Sequence, residues 1–135
     1  MNISTLNWFA ILIATLSNFL IGGLWYSPLL FGKIWMQENK FTEEDLKKSN
    51  MGKIFGLTFL FSFVIAFNLA MFLNDSNTTT SWGAIAGFLA GFGWVAMSQF
   101  IIGQFERKSF RYLLIHSGYV TISFIVMGLI LGSWR

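Results

Sequence analysis

The chain has 135 residues, of which 55% are hydrophobic and only 11% are charged, with a formal net charge of +3. Soluble domains carry roughly a quarter charged residues, so the composition excludes an ordinary soluble domain and indicates a membrane protein. The chain has no cysteine and one histidine, which excludes disulfides, iron–sulfur clusters and thiolate zinc sites.

Four stretches without charged residues predict four membrane-spanning helices. They cover about residues 6–26, 54–73, 82–105 and 112–134. Each approaches or exceeds the roughly 20 residues that cross a hydrocarbon core. A backbone in lipid must satisfy its own hydrogen bonds, which favours helices. The sequence therefore predicts an all-α integral membrane protein, a single domain over residues 1–135 built as a four-transmembrane-helix bundle.

The segment that follows the first span contains the only proline of the chain, in "LWYSPLLFGKIW" at residues 24–35. Ser27 can cap a new helix, and Pro28 can occupy its first turn, where a missing N–H is tolerated. The apolar residues around Lys33 suit a short helix in the membrane interface. The alternative is that the first span kinks at Pro28 and continues. Both interpretations are open at this stage.

A further helix start follows in the same loop, within "FTEEDLKKSN" at residues 41–50. Thr42 is the predicted N-cap and Asp45 its capping-box partner. We expect this helix to run directly into the second span. After that span, the polar segment "NDSNTTTS" at residues 74–81 predicts a short turn, so that the second and third spans form an antiparallel hairpin.

The basic residues predict the orientation in the membrane. Eight of the nine lie in or beside the first and third loops: Lys33, Lys40, Lys47, Lys48, Lys53, Arg107, Lys108 and Arg111. By the positive-inside rule, both loops are cytoplasmic and both termini are outside, in a multi-pass protein of the cell (inner) membrane. This charge serves orientation in the lipid bilayer, so we predict no nucleic-acid partner.

Small residues at four-residue intervals predict how the helices associate. The third span contains Gly83, Gly87 and Gly91, and the fourth ends with Gly128 and Gly132. Small residues allow the close backbone approach on which helix association in lipid depends, and we expect the third span to be the buried centre. The glycines form either a homo-oligomer seam or the packing within one chain.

The spans contain no Asp, Glu, Lys or Arg in their interiors. Proton relays, ion-coupled transport and intramembrane catalysis place ionisable groups there. We therefore predict a non-enzymatic protein with no catalytic residues, no metal site and no cofactor.

Polar and aromatic residues define a candidate binding site, most of them near the predicted cytoplasmic ends. They are Asn18, Trp25, Tyr26, Ser27, Trp94, Gln99, His116 and Tyr119. His116 and Tyr119 are three residues apart and share one helix face. If these side chains face one another, they form a pocket for a lipid or small molecule on the cytoplasmic-leaflet side. Alternatively, they satisfy one another and backbone carbonyls as interhelical hydrogen bonds.

Two other functions are compatible with the sequence. One is a minimal oligomeric transporter or channel for a small neutral solute, with Asn18, Gln99 and His116 lining its path. The other is an accessory subunit of a membrane complex.

Three segments carry a family resemblance. They are "NWFAILIATLSNFLIGGLWYSPLLFGKIW", "GKIFGLTFLFSFVIAF" and "SFRYLLIHSGYVTISFIVMGLILGSWR", and the block Trp25-Tyr26-Ser27-Pro28 with Phe31-Gly32-Lys33 is the most specific part. The chain resembles the small membrane family catalogued as domain of unknown function 1761. The resemblance implies a four-span, mostly bacterial membrane protein without assigned activity. It also implies that asparagine often stands in place of His116, which argues against a catalytic role for this histidine.

Overall fold

The computed structural model describes residues 2–135 and is built of helices and short turns. The four long helices are α1 (Trp8–Trp25), α4 (Met51–Phe72), α5 (Thr80–Phe105) and α6 (Phe110–Ser133). The short helices α2 (Gly32–Asn39) and α3 (Glu43–Lys47) lie between α1 and α4, and a 3-10 turn precedes α1. All four long helices are apolar and long enough to cross a membrane. The predicted all-α, four-span architecture is confirmed.

The long helices are arranged in the spatial order α4, α1, α6, α5. Helix α6 packs extensively on α1 and α5, whereas α4 packs mainly on α1. The expectation that the third span is the buried centre is wrong, because α5 is the most exposed of the four and α6 the most buried. Helix α5 buries one face only, through its small residues Gly83, Gly87, Gly91 and Ala96. Helix α6 buries residues on two faces, with Gly128 and Gly132 against α5 and Ile115 and Gly118 against Trp25 of α1.

The predicted glycine row forms the seam between α5 and α6. A Cβ atom on Gly83 would collide with the carbonyl oxygen of Gly128, and one on Gly87 would collide with that of Phe124. Cβ atoms on Gly91 and Gly132 would also be too close, each 2.7 Å from its nearest neighbour, Phe124 Cβ and the Thr79 carbonyl oxygen respectively. All five glycines of the predicted oligomer seam therefore contact a helix of the same chain, which is the packing alternative.

Helix α5 contains an unpredicted π-helical segment, Leu89–Ala96. The buried positions of α5 are Gly87, then Gly91 four residues later, and then Ala96 five residues after Gly91. A π-helical turn holds more residues than an α-helical turn, so the longer step keeps Ala96 and later Gly103 facing α6. The five-residue step between small residues is the only sequence signal for this segment.

The proline-containing turn separates α1 from α2 and corrects the predicted helix start. The helix resumes at Gly32, not at Ser27 and Pro28. The Ser27 hydroxyl donates backwards to the carbonyl of Leu24 at 2.6 Å, so it does not cap the new helix. A separate helix does follow α1, and the alternative of one kinked, continuous helix is wrong.

Gly32 is required by the compactness of this turn. Its N–H donates to the Ser27 carbonyl at 2.9 Å, and the N–H of Phe31 donates to the Trp25 carbonyl at 3.0 Å. A Cβ atom on Gly32 would lie 2.6 Å from the carbonyl oxygen of Tyr26, closer than real contacts allow. The glycine of the "WYSPLLFG" segment thus lets the chain fold back tightly on the end of α1.

The predicted capping box of α3 is confirmed. Thr42 Oγ1 accepts from the Asp45 N–H at 3.1 Å, and the Asp45 carboxylate accepts from the Thr42 N–H at 2.8 Å. These bonds, the backbone one first, hold the pKa of the Asp45 carboxyl below its usual value. The expected continuation into the second span is wrong, because α3 ends at Lys47 and Asn50 caps a new helix by accepting from the Lys53 N–H.

The glycine seam yields a stability prediction. Gly83→Ala should lower the free energy of unfolding by about 1–3 kcal/mol, because its methyl group must push α5 away from α6. Gly56→Ala, in α4, meets no atom within 4 Å and should leave stability unchanged or raise it by up to about 1 kcal/mol. Unfolding in detergent micelles measures both, and equal losses would contradict the seam.

Candidate functional site

The candidate site lies at the basic end of the bundle, a name used here for α2, α3, the turn of residues 106–109 and the adjoining ends of the long helices. Eight of the nine basic residues belong to this end. The opposite end contains the turn of residues 73–79, to which Asn2, Thr5 and Arg135 are hydrogen-bonded.

Asn18 joins three helices through a buried set of hydrogen bonds. Its side-chain amide nitrogen donates to Ser62 Oγ of α4 at 2.6 Å. Its amide oxygen accepts from the Tyr119 hydroxyl of α6 at 3.0 Å. Asn18 and Tyr119 are thus brought together as predicted, and they are paired as the interhelical alternative expects.

Tyr26 and His116 form a second pair, closer to the basic end. The Tyr26 hydroxyl lies 2.5 Å from His116 Nδ1. We assign the phenol as donor, because within residues 2–135 its hydrogen has no other acceptor. His116 Nε2 then carries the ring hydrogen. The edge of the imidazole rests against the ring of Tyr112, with 4.3 Å between centroids.

Trp25 fixes the end of α1 on α6. Its indole N–H donates to the Ile115 carbonyl at 2.9 Å. Its ring covers Gly118, where a Cβ atom would lie 2.9 Å from the indole. Trp25 is therefore a packing residue beside the site, and its only N–H donor is already used in a hydrogen bond within the chain.

Two predicted site residues do not reach the cluster. Trp94 is 68% exposed, because the buried stripe of α5 passes through Gly91 and Ala96 and leaves Trp94 on the outward face. Ser27 spends its hydroxyl hydrogen on the Leu24 carbonyl within the turn. The structure thus places both residues outside the cluster, and neither lines the cavity described below.

A cavity of about 210 Å³ lies between α5 and α6 at the basic end. Six of its lining residues matter for ligand binding: Gln99, Ile102, Glu106, Lys108, Tyr112 and His116. A polar cavity of this size holds several water molecules or a small polar group.

Two buried polar atoms belonging to cavity residues have no hydrogen-bond partner within residues 2–135. They are Gln99 Oε1 and His116 Nε2. A buried polar atom without a partner costs about 1–3 kcal/mol, so such atoms in a native protein call for an explanation. Both residues line the cavity although these two atoms are covered, so an external molecule supplies the missing bonds once the side chains rotate towards it.

The turn between α5 and α6 holds Lys108 at the mouth of this cavity. Arg107 adopts the left-handed conformation, with φ of 56°, and the Lys108 N–H donates back to the Gly103 carbonyl at 2.9 Å. This cap directs Lys108 towards Tyr112, with its ammonium 5.0 Å from the ring centroid. Ser109 then caps α6 by accepting from the Tyr112 N–H.

Helix α2 is fastened across the same end. Glu38 accepts a hydrogen bond from Ser109 Oγ at 2.6 Å and pairs with Arg111 at 3.7 Å. The ring of Trp35 packs edge-on against Tyr26, with 5.6 Å between centroids. Helix α2 therefore packs over Tyr26 through Trp35, and its Glu38 forms an ion pair with Arg111.

The sequence interpretation missed three cavity residues with polar or charged side chains, namely Glu106, Lys108 and Tyr112, and the apolar ones, Ile102, Gly103 and Leu113. The spacings contained a signal, since Gln99 and Glu106 are seven apart and Tyr112 and His116 four apart, which places each pair on one helix face. The basic loop residues, Lys108 among them, were used only to predict the orientation in the membrane, so a role at the cavity was not considered.

Four apolar helices with one polar cavity at a basic end define a multi-pass α-helical membrane protein. The family described as "Protein of unknown function (DUF1761)" matches residues 9–132, and the chain belongs to this family. No curated protein and no solved structure gives a significant match. The resemblance stated from the sequence is thereby confirmed, and the family description contains no activity.

The Asn18 bridge gives a second stability prediction. Tyr119→Phe removes the hydroxyl that donates to Asn18 and should lower the free energy of unfolding by about 1 kcal/mol. Tyr112→Phe is the matched control, since the Tyr112 hydroxyl makes no hydrogen bond within residues 2–135, and its effect should stay below about 0.5 kcal/mol. Thermal unfolding in detergent compares the two. A Tyr112→Phe loss as large as that of Tyr119→Phe would contradict the bridge.

Proposed function

We propose that this integral membrane protein binds an amphiphilic small molecule, with the polar part of the ligand in the α5–α6 cavity and the apolar part in the bilayer. The observation that carries the proposal is that Gln99 and His116 both line one cavity and each has a buried atom without a partner within residues 2–135, Gln99 Oε1 and His116 Nε2. A ligand that bonds to both removes an energetic cost that the free protein bears.

The surroundings of the cavity favour an amphiphile over a fully water-soluble ligand. Ile102, which lines the cavity, is 57% exposed, and Phe105, near it on the same helix, is 86% exposed. Exposed apolar side chains on a membrane protein face lipid chains. The volume of about 210 Å³ is also below the roughly 300–1,000 Å³ of complete drug-sized pockets, which suits a headgroup.

We further propose that the basic end faces the cytoplasm and that the membrane is the cell (inner) membrane. The support is the placement of eight of the nine basic residues at this end. Binding without catalysis is part of the proposal, since the spans contain no acidic residue.

The oligomeric transporter, the accessory subunit and the homo-oligomer stay predictions. The polar atoms of Asn18, which the transporter hypothesis puts in the solute path, are bonded to Ser62 and Tyr119. An oligomer would use faces other than the glycine row, which the α5–α6 seam occupies.

The orientation can be tested because the chain has no cysteine, so an introduced one is unique. Glu43→Cys lies at the basic end and Ser76→Cys at the opposite end, and both positions are exposed. A membrane-impermeant maleimide should label Ser76→Cys in intact cells and Glu43→Cys only after permeabilisation. The reverse pattern would overturn the orientation.

The binding site can be tested with a matched pair of substitutions on α5. Gln99→Leu removes an unpaired buried acceptor and should raise the stability of ligand-free protein by about 1 kcal/mol while abolishing lipid retention. Gln104→Leu makes the same change at an exposed position and should keep lipid retention. Native mass spectrometry after purification with a phosphatidylethanolamine, phosphatidylglycerol and phosphatidylcholine mixture counts retained lipids. Wild-type protein without lipid, or retention by Gln99→Leu equal to that of wild type, would contradict the proposal.

A further inference from the structure

The cavity presents separate donors and acceptors on its two sides. Helix α5 contributes acceptors, the Gln99 Oε1 atom and the Glu106 carboxylate. The other side contributes donors, namely His116 Nε2–H, under the tautomer assigned above, and the Lys108 ammonium. A complementary ligand therefore carries donors at one point and acceptors at another.

The charges at the mouth point to a ligand of zero net charge. Glu106 and Lys108 line the same cavity, and within residues 2–135 neither forms an ion pair, with the other or with any third residue. The nearby cation Arg111 is already paired with Glu38. One free carboxylate and one free ammonium balance each other, so an anion gains attraction from Lys108 and repulsion from Glu106.

We propose that the cavity selects a zwitterionic polar group with a primary ammonium and a phosphate, the chemistry of a phosphatidylethanolamine headgroup. The ammonium donates to Gln99 Oε1 and to the Glu106 carboxylate. The phosphate accepts from His116 Nε2–H and from Lys108. This inference rests on the proposed function and names the ligand class of the same cavity.

Each competing headgroup leaves part of the cavity unsatisfied. Phosphatidylcholine has no N–H, so Gln99 Oε1 stays without a donor. Phosphatidylglycerol brings a net negative charge beside Glu106 and has no cation of its own to offset it. Phosphatidylethanolamine satisfies both requirements, with the lipid chains continuing along the exposed apolar surface at Ile102.

The test compares the three lipids with identical short acyl chains on delipidated, detergent-purified protein. We expect phosphatidylethanolamine to bind about tenfold more tightly than the other two, measured as dissociation constants by calorimetry. Glu106→Gln should reduce this preference to about twofold or less, because the neutral amide attracts the ammonium less. Glu44→Gln, on α3 outside the cavity, should keep the full preference.

The outcomes separate the inference from the proposed function. If phosphatidylglycerol or phosphatidylcholine binds as tightly or more tightly, and Gln99→Leu abolishes this binding, the proposed headgroup is wrong but the cavity still binds lipid. No binding of any lipid would overturn both. Free phosphoethanolamine forms a separate arm: displacement of the lipid at similar concentration supports the same chemistry from a soluble source, and failure to displace supports a membrane source.

Discussion

The close backbone contact between α5 and α6 determines the shape of the rest of the molecule. Glycines bring the two helices together at Gly83 and Gly128, so that carbonyl oxygens fill the space where side chains would lie. The glycine row ends at Gly91, and beyond it the seam contains Ala96 and then Gly103, against which the Leu113 side chain of α6 packs. The cavity lies in this second part, between the same two helices. Tight contact at one end and side-chain spacing at the other therefore make a cleft that opens at the basic end.

Several buried polar groups are hydrogen-bonded on the side of α6 that faces α1, whereas two buried polar atoms among the described residues are unpaired on the side that faces α5. Towards α1, Asn18 and Tyr119 bond to one another, and Tyr26 bonds to His116 Nδ1. Towards α5, His116 Nε2 and Gln99 Oε1 have no partner within residues 2–135. An apolar environment penalises unpaired polar atoms, and the first side shows that this chain can pair its polar groups across helices. Two of the four buried unpaired atoms in the part of the chain that the structure describes therefore belong to cavity residues, and the other two, Ser117 Oγ and Ser123 Oγ, lie elsewhere on α6.

Local chemistry made the spans and the α3 capping box predictable, because each depends on residues adjacent in sequence. The start of α2 at Gly32 was not predictable from Ser27 and Pro28, since it follows from carbonyl groups that the folded turn brings together. Of the residues grouped by polarity and depth, the structure pairs Asn18 with Tyr119 and Tyr26 with His116, and only Gln99 and His116 line the cavity. Trp94 lies outside this group because the π-helical segment leaves it on the outward face of α5. The position of Lys108 was not predictable because it depends on the left-handed conformation of Arg107, whereas the spacing of Glu106 from Gln99 was an available signal.

The π-helical segment of α5 determines which residues after it face the binding site. Each residue of an α-helix advances about 100° around the axis, so regular winding of the same eight residues, 89–96, would turn everything after them by about that angle. Gln99 and Gly103 would then rotate out of the cleft while the glycine seam before them stayed intact. Loss of one residue from this segment would instead shorten the five-residue step from Gly91 to Ala96 to one α-helical turn, so a relative that is one residue shorter here keeps the cleft with regular winding.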